Sequence, residues 1–269
     1  MNPSRSISAS ALGPEGARDV ARSLPEEVPV AVTVNGTTQA VMMCSPTDLE
    51  DFATGFALTE GFATPDQIES IEIIESDAGI EARLWVPDAL ADALAARRRA
   101  MMGPVGCGLC GIESLEQALR ALPVLADGGK VTLAEAAAAP EALRGQQPLH
   151  DLTHAAHAAG FLVPGHGVQV AREDVGRHNA LDKLIGACAR DGIDMGQGAV
   201  VLTSRVSVEM VQKTVLAGCP ILIAVSAPTA HAVRLAEAAN LTLAAFAREG
   251  RLETFTHPAR IDRSQTDAA

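Results

Sequence analysis

Cys107-Gly108-Leu109-Cys110 brackets two residues inside the glycine-rich stretch 103–111, and it is the pair in this 269-residue chain best suited to do chemistry. Three chemistries use that spacing: dithiol exchange, half of a tetrahedral zinc site, and carriage of a sulfur atom as a persulfide. A zinc site needs four ligands, usually with a second close pair of Cys or His. Cys44, Cys188 and Cys219 form no such pair, which leaves His154 and His157, three apart, to complete a Cys2His2 set. A dithiol oxidoreductase sets its pair at a helix start, directly after a buried strand. Here the preceding segment reads as a helix over 88–101, followed by Gly103-Pro104. A persulfide carrier needs a thiolate exposed enough to visit two partners, which Gly103, Gly106, Gly108 and Gly111 allow. A helix over 112–121 turns its positive end toward Cys110 and favours a thiolate there. The other three cysteines sit beside apolar positions and read as core residues.

A second group of residues is suited to hold an anion. In a parallel sheet, ligands bind outside the carboxyl ends of the strands, where helix N-termini converge. Strands predicted over 199–203, 220–225 and 242–246 are followed in turn by Ser204 and Arg205 with Ser207 beyond, by Ser226 and Thr229, and by Arg248, Glu249, Gly250 and Arg251. Hydroxyls, free backbone N–H groups and arginines suit phosphate. Taken singly, the same hydroxyls are ordinary helix caps. The densest polar run, 172–183, places Arg177, His178 and Asn179 on the first turn of a helix that opens after Gly176. There His178 with Asp182, and Asn179 with Lys183, stand four apart as orienting pairs. No Walker A sequence, GxGxxG or zinc-deaminase pattern occurs.

These residues must be positioned by a chain of mixed character. At about 150 residues per domain, its length makes roughly two domains. Residues 1–25 show no periodicity and read as an unstructured tail. Residues 26–102 read as an N-terminal α/β part: a Val-rich hairpin about Asn35-Gly36, a helix capped by Ser45 with Pro46 at its first position, two strands and the helix over 88–101. A mobile cysteine loop, 103–111, precedes an α/β/α domain over 112–269. In that domain, Ala-rich helices are expected at 134–144 and 150–159, then a hairpin at 161–171, then helices over 176–191, 206–217 and 228–240 alternating with the three strands.

Composition bounds the function. Aromatics are 3% with no Tyr, so stacking platforms for single-stranded nucleic acid are not expected. Net charge is -12, which excludes a DNA or RNA backbone binder. The acid is concentrated in residues 1–103, with 16 acidic against 7 basic side chains, while 151–269 hold 12 against 11 and six of the seven histidines, the seventh being His150. Any anionic ligand therefore belongs to the back of the chain. No signal peptide or apolar run long enough to span a membrane is found, so a cytoplasmic, reducing location is expected, with no membrane association.

The run Val-Gln-Val-Ala-Arg-Glu-Asp-Val-Gly-Arg-His-Asn-Ala-Leu-Asp-Lys at 168–183, the loop bearing Cys107 and Cys110, the segments 204–213 and 226–229, the segment 246–251, the Val-Asn-Gly hairpin about Asn35 and the Gly-Phe-Ala-Leu-Thr-Glu-Gly stretch at 55–61 resemble the formate dehydrogenase accessory proteins, the FdhD/NarQ family. The resemblance runs from about Glu26 to the C-terminus. Gly106 stands where family members usually have Ser, and Thr203-Ser204-Arg205 where they have Ser-Gly-Arg. The resemblance implies a cytidine-deaminase-like three-layer α/β/α sandwich with a smaller N-terminal α/β part, acting as a homodimer. It implies a sulfurtransferase that takes sulfane sulfur from a cysteine desulfurase and passes it to the molybdenum (or tungsten) bis(guanine dinucleotide) cofactor destined for formate dehydrogenase. Cys107 then matches the persulfide-bearing cysteine, Cys110 its companion, and Phe246, Ala247, Arg248, Glu249, Gly250 and Arg251 the cofactor-binding stretch. The cofactor is bound as substrate through its GDP-like moieties, and no structural metal is expected. A cofactor chaperone without sulfur transfer, and a CxxC dithiol oxidoreductase, are the alternatives.

Overall fold

The computed structural model describes residues 1–102 and 122–264. Where the sequence predicts an unstructured tail, strands β1 (Ser4–Gly13) and β2 (Gly16–Pro25) form an antiparallel ladder from Ser4 with Pro25 to Gly13 with Gly16. Its residues are mostly exposed on both faces, and its few apolar ones, Ile7, Leu12, Val20 and Leu24, make no strong one-sided pattern that would announce it. A lone hairpin is marginal in water. This one rests against the short helix at Pro148–Thr153.

Strands β3 (Val28–Val34), β4 (Thr37–Cys44), β5 (Ser70–Ser76) and β6 (Gly79–Trp85) form a sheet of order β4-β3-β6-β5. Asn35 and Gly36 both take positive φ, 44° and 75°, the turn that matches the twist of a tight hairpin. Alternate residues of β3 and β6, among them Val30, Val32, Ile80 and Ala82, pack on Phe52 and Phe56 of α1 (Leu49–Glu60) and on Leu94 of α2 (Asp88–Met102). The predicted cap by Ser45 does not form. The helix starts at Leu49 after Asp48, whose φ of 52° is left-handed, and Ser45 bonds to the second domain instead.

The second sheet has the order β13-β12-β11-β10-β8-β9, built from β8 (His157–Val163), β9 (Gly167–Asp174), β10 (Ala199–Leu202), β11 (Ile221–Ala224), β12 (Thr242–Arg248) and β13 (Arg251–Thr256). β10, β11 and β12 are parallel, as the alternation of strands and helices predicts. Val200 and Leu202 face helices α5 (Arg177–Arg190), α6 (Val208–Leu216) and α7 (Ala230–Ala238). Ala199 and Val201 face α3 (Leu133–Arg144) and the small pair β7 (Val131–Thr132) with β14 (Ile261–Asp262). Period-2 alternation thus feeds two cores, and the layers run helix, sheet, helix.

The predicted helix over 150–159 is shorter. α4 spans Pro148–Thr153 and stops at His154, in the left-handed region at φ 55°; by His157 the chain has entered β8. Alanine favours helix, but pairing with β9 and β10 overrides that preference. Between the two sheets, α1 lies directly against α5, crossing it at Gly55 and Gly186.

Candidate functional site

The carboxyl ends of β9, β10, β11 and β12 and the start of β8 share one edge of the second sheet. A cavity of about 1040 Å³ lies there, closed on its far side by α3 and α4. Its apolar wall includes Ala137, Ala156, Val175 and Val225, and its polar groups include His150, His154, His157, Arg144 and Arg248. A largely apolar lining with a few placed polar groups and this volume are the features of a small-molecule site.

Of the stretch 246–251, Ala247, Arg248, Glu249 and Gly250 line this cavity; Phe246 and Arg251 do not. β12 runs on to Arg248 and turns through Glu249 and Gly250, both at positive φ, into β13, so the predicted loop is a hairpin in which Arg248 pairs with Arg251. A bulge at Phe246, φ 52°, sends its ring outward against Phe255, with centroids 6.2 Å apart. That outward turn leaves Ala247 buried in the wall. Sequence alternation gives no sign of a bulge, which is why β12 reads too short.

Ser204, Arg205, Ser226 and Thr229 stand on the same edge but outside the cavity wall. The Ser204 hydroxyl donates to the Arg205 carbonyl at 3.0 Å, and Arg205 itself is exposed. Thr229 caps α7 by accepting from Ala232 N at 3.2 Å, its ordinary structural role. Ser207 precedes α6 without capping it; its hydroxyl, with the helix's own N–H, holds the Glu209 carboxyl below the usual range.

The three polar residues that open α5 go separate ways. Asn179 is buried, and its amide donates to Met43 O at 2.7 Å and Asp174 Oδ1 at 3.0 Å, so it ties the two domains together instead of facing a ligand. His178 Nε2 stands 3.9 Å from Glu209 Oε2, and burial, reinforced by Arg177, lowers the pKa of its imidazole. Arg177 Nε is buried with no hydrogen-bond partner among the described residues.

The expected pairs His178–Asp182 and Asn179–Lys183 do not form. Asp182 takes Lys213 through both oxygens at 3.0 Å and Thr59 of α1 at 2.8 Å. Lys183, fully buried, pairs with Asp174 at 2.7 Å and donates to Ser45 O at 3.0 Å. Ser45 N in turn donates to Asp174 at 2.9 Å. α1 covers this face of α5, and a buried charge needs a partner wherever the packing supplies one. Spacing along one helix could not reveal partners contributed by another domain, so most of the run 172–183 is the seam between the two parts.

Cys107 and Cys110, with the predicted loop 103–111 and the helix over 112–121, lie outside the described residues. Cys44, Cys188 and Cys219 are free and buried, as expected of core residues. Burial pushes the Cys188 and Cys219 thiols up to about 12 and that of Cys44 up as well, which leaves all three protonated and inert. Among the described residues no cluster of three His, Cys, Asp or Glu is arranged to hold a metal, and no helix is long and apolar enough to cross a membrane. Sequence reading gives His150 no role and misses the wall formed by α3. It noted His154 and His157 only as candidate zinc ligands, and their gathering at one cavity depends on the break between α4 and β8.

Comparison with known proteins places the chain. A profile described as the FdhD/NarQ family matches residues 25–262. The chain is 53% identical over 242 residues to a protein from Agrobacterium fabrum named "Sulfur carrier protein FdhD", covering 89% of each chain. It is 52% identical over 251 residues to the protein of the same name from Brucella abortus, covering 93% of each. Among solved structures, a formate dehydrogenase accessory protein from Desulfotalea psychrophila, described as putative, superposes with a TM-score of 0.78 at 26% identity, covering 97% of this chain and 100% of that one.

Proposed function

The chain belongs to the FdhD/NarQ family, and from that membership we propose that it is a sulfur carrier in the maturation of a formate dehydrogenase. In this reading the Cys107 thiolate attacks the terminal sulfur of a cysteine desulfurase persulfide. The donor thiolate leaves, and Cys107 holds the sulfane sulfur. Cys110 then attacks Cys107 Sγ, releasing the outer sulfur as sulfide to the metal of the bis(guanine dinucleotide) cofactor and closing a disulfide that a cellular thiol later reduces.

The observation that carries the reading is the cavity on the carboxyl edge, whose wall includes Ala247, Arg248, Glu249 and Gly250. The cofactor binds there as substrate, one nucleotide arm in the pocket. The volume suits one such arm. The three remaining cysteines are buried and protonated, so they offer no competing nucleophile.

The test is maturation of formate dehydrogenase in cells lacking the native carrier. Cys107→Ala is expected to abolish enzyme activity while the client still accumulates. Activation at the wild-type level by Cys107→Ala would exclude sulfur transfer through this thiol and favour a cofactor chaperone.

A further inference from the structure

Three imidazoles face the cavity: His150 from α4, His154 at its end, and His157 at the start of β8. The first two lie edge to face with centroids 5.7 Å apart. His150 Nδ1 is 3.2 Å from the Ala156 carbonyl, so this nitrogen carries the proton and donates. Arg177 acts on His157 from the N-terminus of α5, with its Nε buried and hydrogen-bonded to nothing among the described residues. The carboxylate facing His157, Asp174, already accepts from Lys183, Ser45 N and Gly176 N. The remaining charged groups on the wall are Glu141 and Arg144 of α3 and Arg248 and Glu249 of the β12–β13 turn. Arg144 is paired with Asp151 at 2.6 Å.

We propose that His157, with His150 beside it and Arg177 behind it, forms the anion-binding wall of this cavity and takes up a proton when a phosphate-bearing ligand enters. The inference rests on the reading that the cavity holds the nucleotide end of the substrate. Without a ligand, burial first, then Arg177 and His150, lower the His157 pKa and favour the neutral ring. Asp174, itself paired with Lys183, favours the charged ring without outweighing burial, Arg177 and His150; a phosphate within about 4 to 6 Å adds opposing charge, and the protonated ring becomes the favoured form. The proton comes from solvent. Binding therefore tightens as the pH falls toward the ordinary imidazole value of about 6.5.

Calorimetric titration of GDP into the full chain, in two buffers of different ionisation enthalpy at slightly alkaline pH, reads the proton directly. Uptake approaching about one proton per bound GDP is expected, with none for guanosine, which lacks the phosphates. His157→Gln is expected to lose the uptake and to bind GDP roughly tenfold more weakly. If that variant fails to fold, Arg177→Gln reads the same coupling in a titration repeated just below the ordinary imidazole value of about 6.5: the ring loses one of the charges that disfavour its protonated form, so the free protein already carries part of the proton and uptake on binding falls. GDP binding to the wild type without proton uptake, or unchanged uptake in both variants, overturns the inference and leaves the cavity reading standing. Absence of GDP binding to the wild type overturns both.

Discussion

Gly55 and Gly186 meet at the crossing of α1 and α5, and neither leaves room for a side chain. A Cβ on Gly55 would stand 1.8 Å from Asp182 O, and one on Gly186 would stand 1.8 Å from Asp51 O. The helices therefore touch backbone to backbone. That closeness lets Thr59 of α1 reach Asp182 of α5 at 2.8 Å. It also sets Asp51 against Arg172 at 2.8 Å, beneath the end of β9. The positions of the cavity edge and of the N-terminal domain are thus coupled through two glycines.

Gly55→Ala and Gly186→Ala are each expected to destabilise the protein by about 3 kcal/mol or more, because the obstructing atoms are backbone and only a shift of a whole helix relieves them. Gly145→Ala is the control. Gly145 ends α3 at φ -68° with its nearest neighbour 3.6 Å away, so the change is expected to be neutral or to stabilise by about 0.5 kcal/mol. Urea unfolding measures all three.

Lys183→Met leaves Asp174 buried without its cation, and the expected cost is about 3 to 5 kcal/mol. The same substitution at exposed Arg205 is expected to change stability by less than about 0.5 kcal/mol. Thermal unfolding followed by circular dichroism separates the two.

Glu135 closes the capping box of α3, accepting from Thr132 N at 2.8 Å and also from Gly165 N. These bonds hold its carboxyl below the usual range. Since the folded value is the lower one, its stabilisation is complete above the unfolded value of about 4.3 and is lost as the pH falls through the folded value. Glu135→Gln is expected to lower stability by about 1 kcal/mol at neutral pH and by less once the wild-type carboxyl is protonated. Unfolding at several pH values between neutrality and strong acid checks both arms.

Arg248 lines the cavity and Arg251 does not, although the two are adjacent across the β12–β13 turn. Arg248→Ala is expected to weaken GDP binding roughly tenfold, and Arg251→Ala by less than about threefold. Calorimetry at fixed salt distinguishes them, and the reverse order would place the phosphates on the outer side of the hairpin.

Where one apolar period dominates, the fold is legible in the sequence. Val30, Val32 and Val34 alternate cleanly, and the short strands at 199–202 and 221–224 are each bounded by helices, so the parallel sheet and its carboxyl edge follow. β1 and β2 escape notice because their exposed side chains carry no pattern, and β12 reads short because of the bulge at Phe246. The candidate site divides the same way. Arg248 and Glu249 line the cavity, whereas Asn179 and Lys183 are claimed by Met43, Ser45 and Asp174. A polar run on a helix looks alike whether it binds a ligand or a neighbouring domain, and only packing distinguishes them. His157 is the converse case, a residue whose role follows from the turn at His154 that brings it to the wall.

In the proposed function, sulfur travels on Cys107. Intact mass of the purified chain after incubation with a cysteine desulfurase and cysteine, followed by peptide mapping, tests it most directly. A gain of about 32 Da, one sulfur atom, is expected, mapped to Cys107, absent in Cys107→Ala and retained in Cys110→Ala. An adduct that persists in Cys107→Ala, or that maps to Cys44, Cys188 or Cys219, would contradict it.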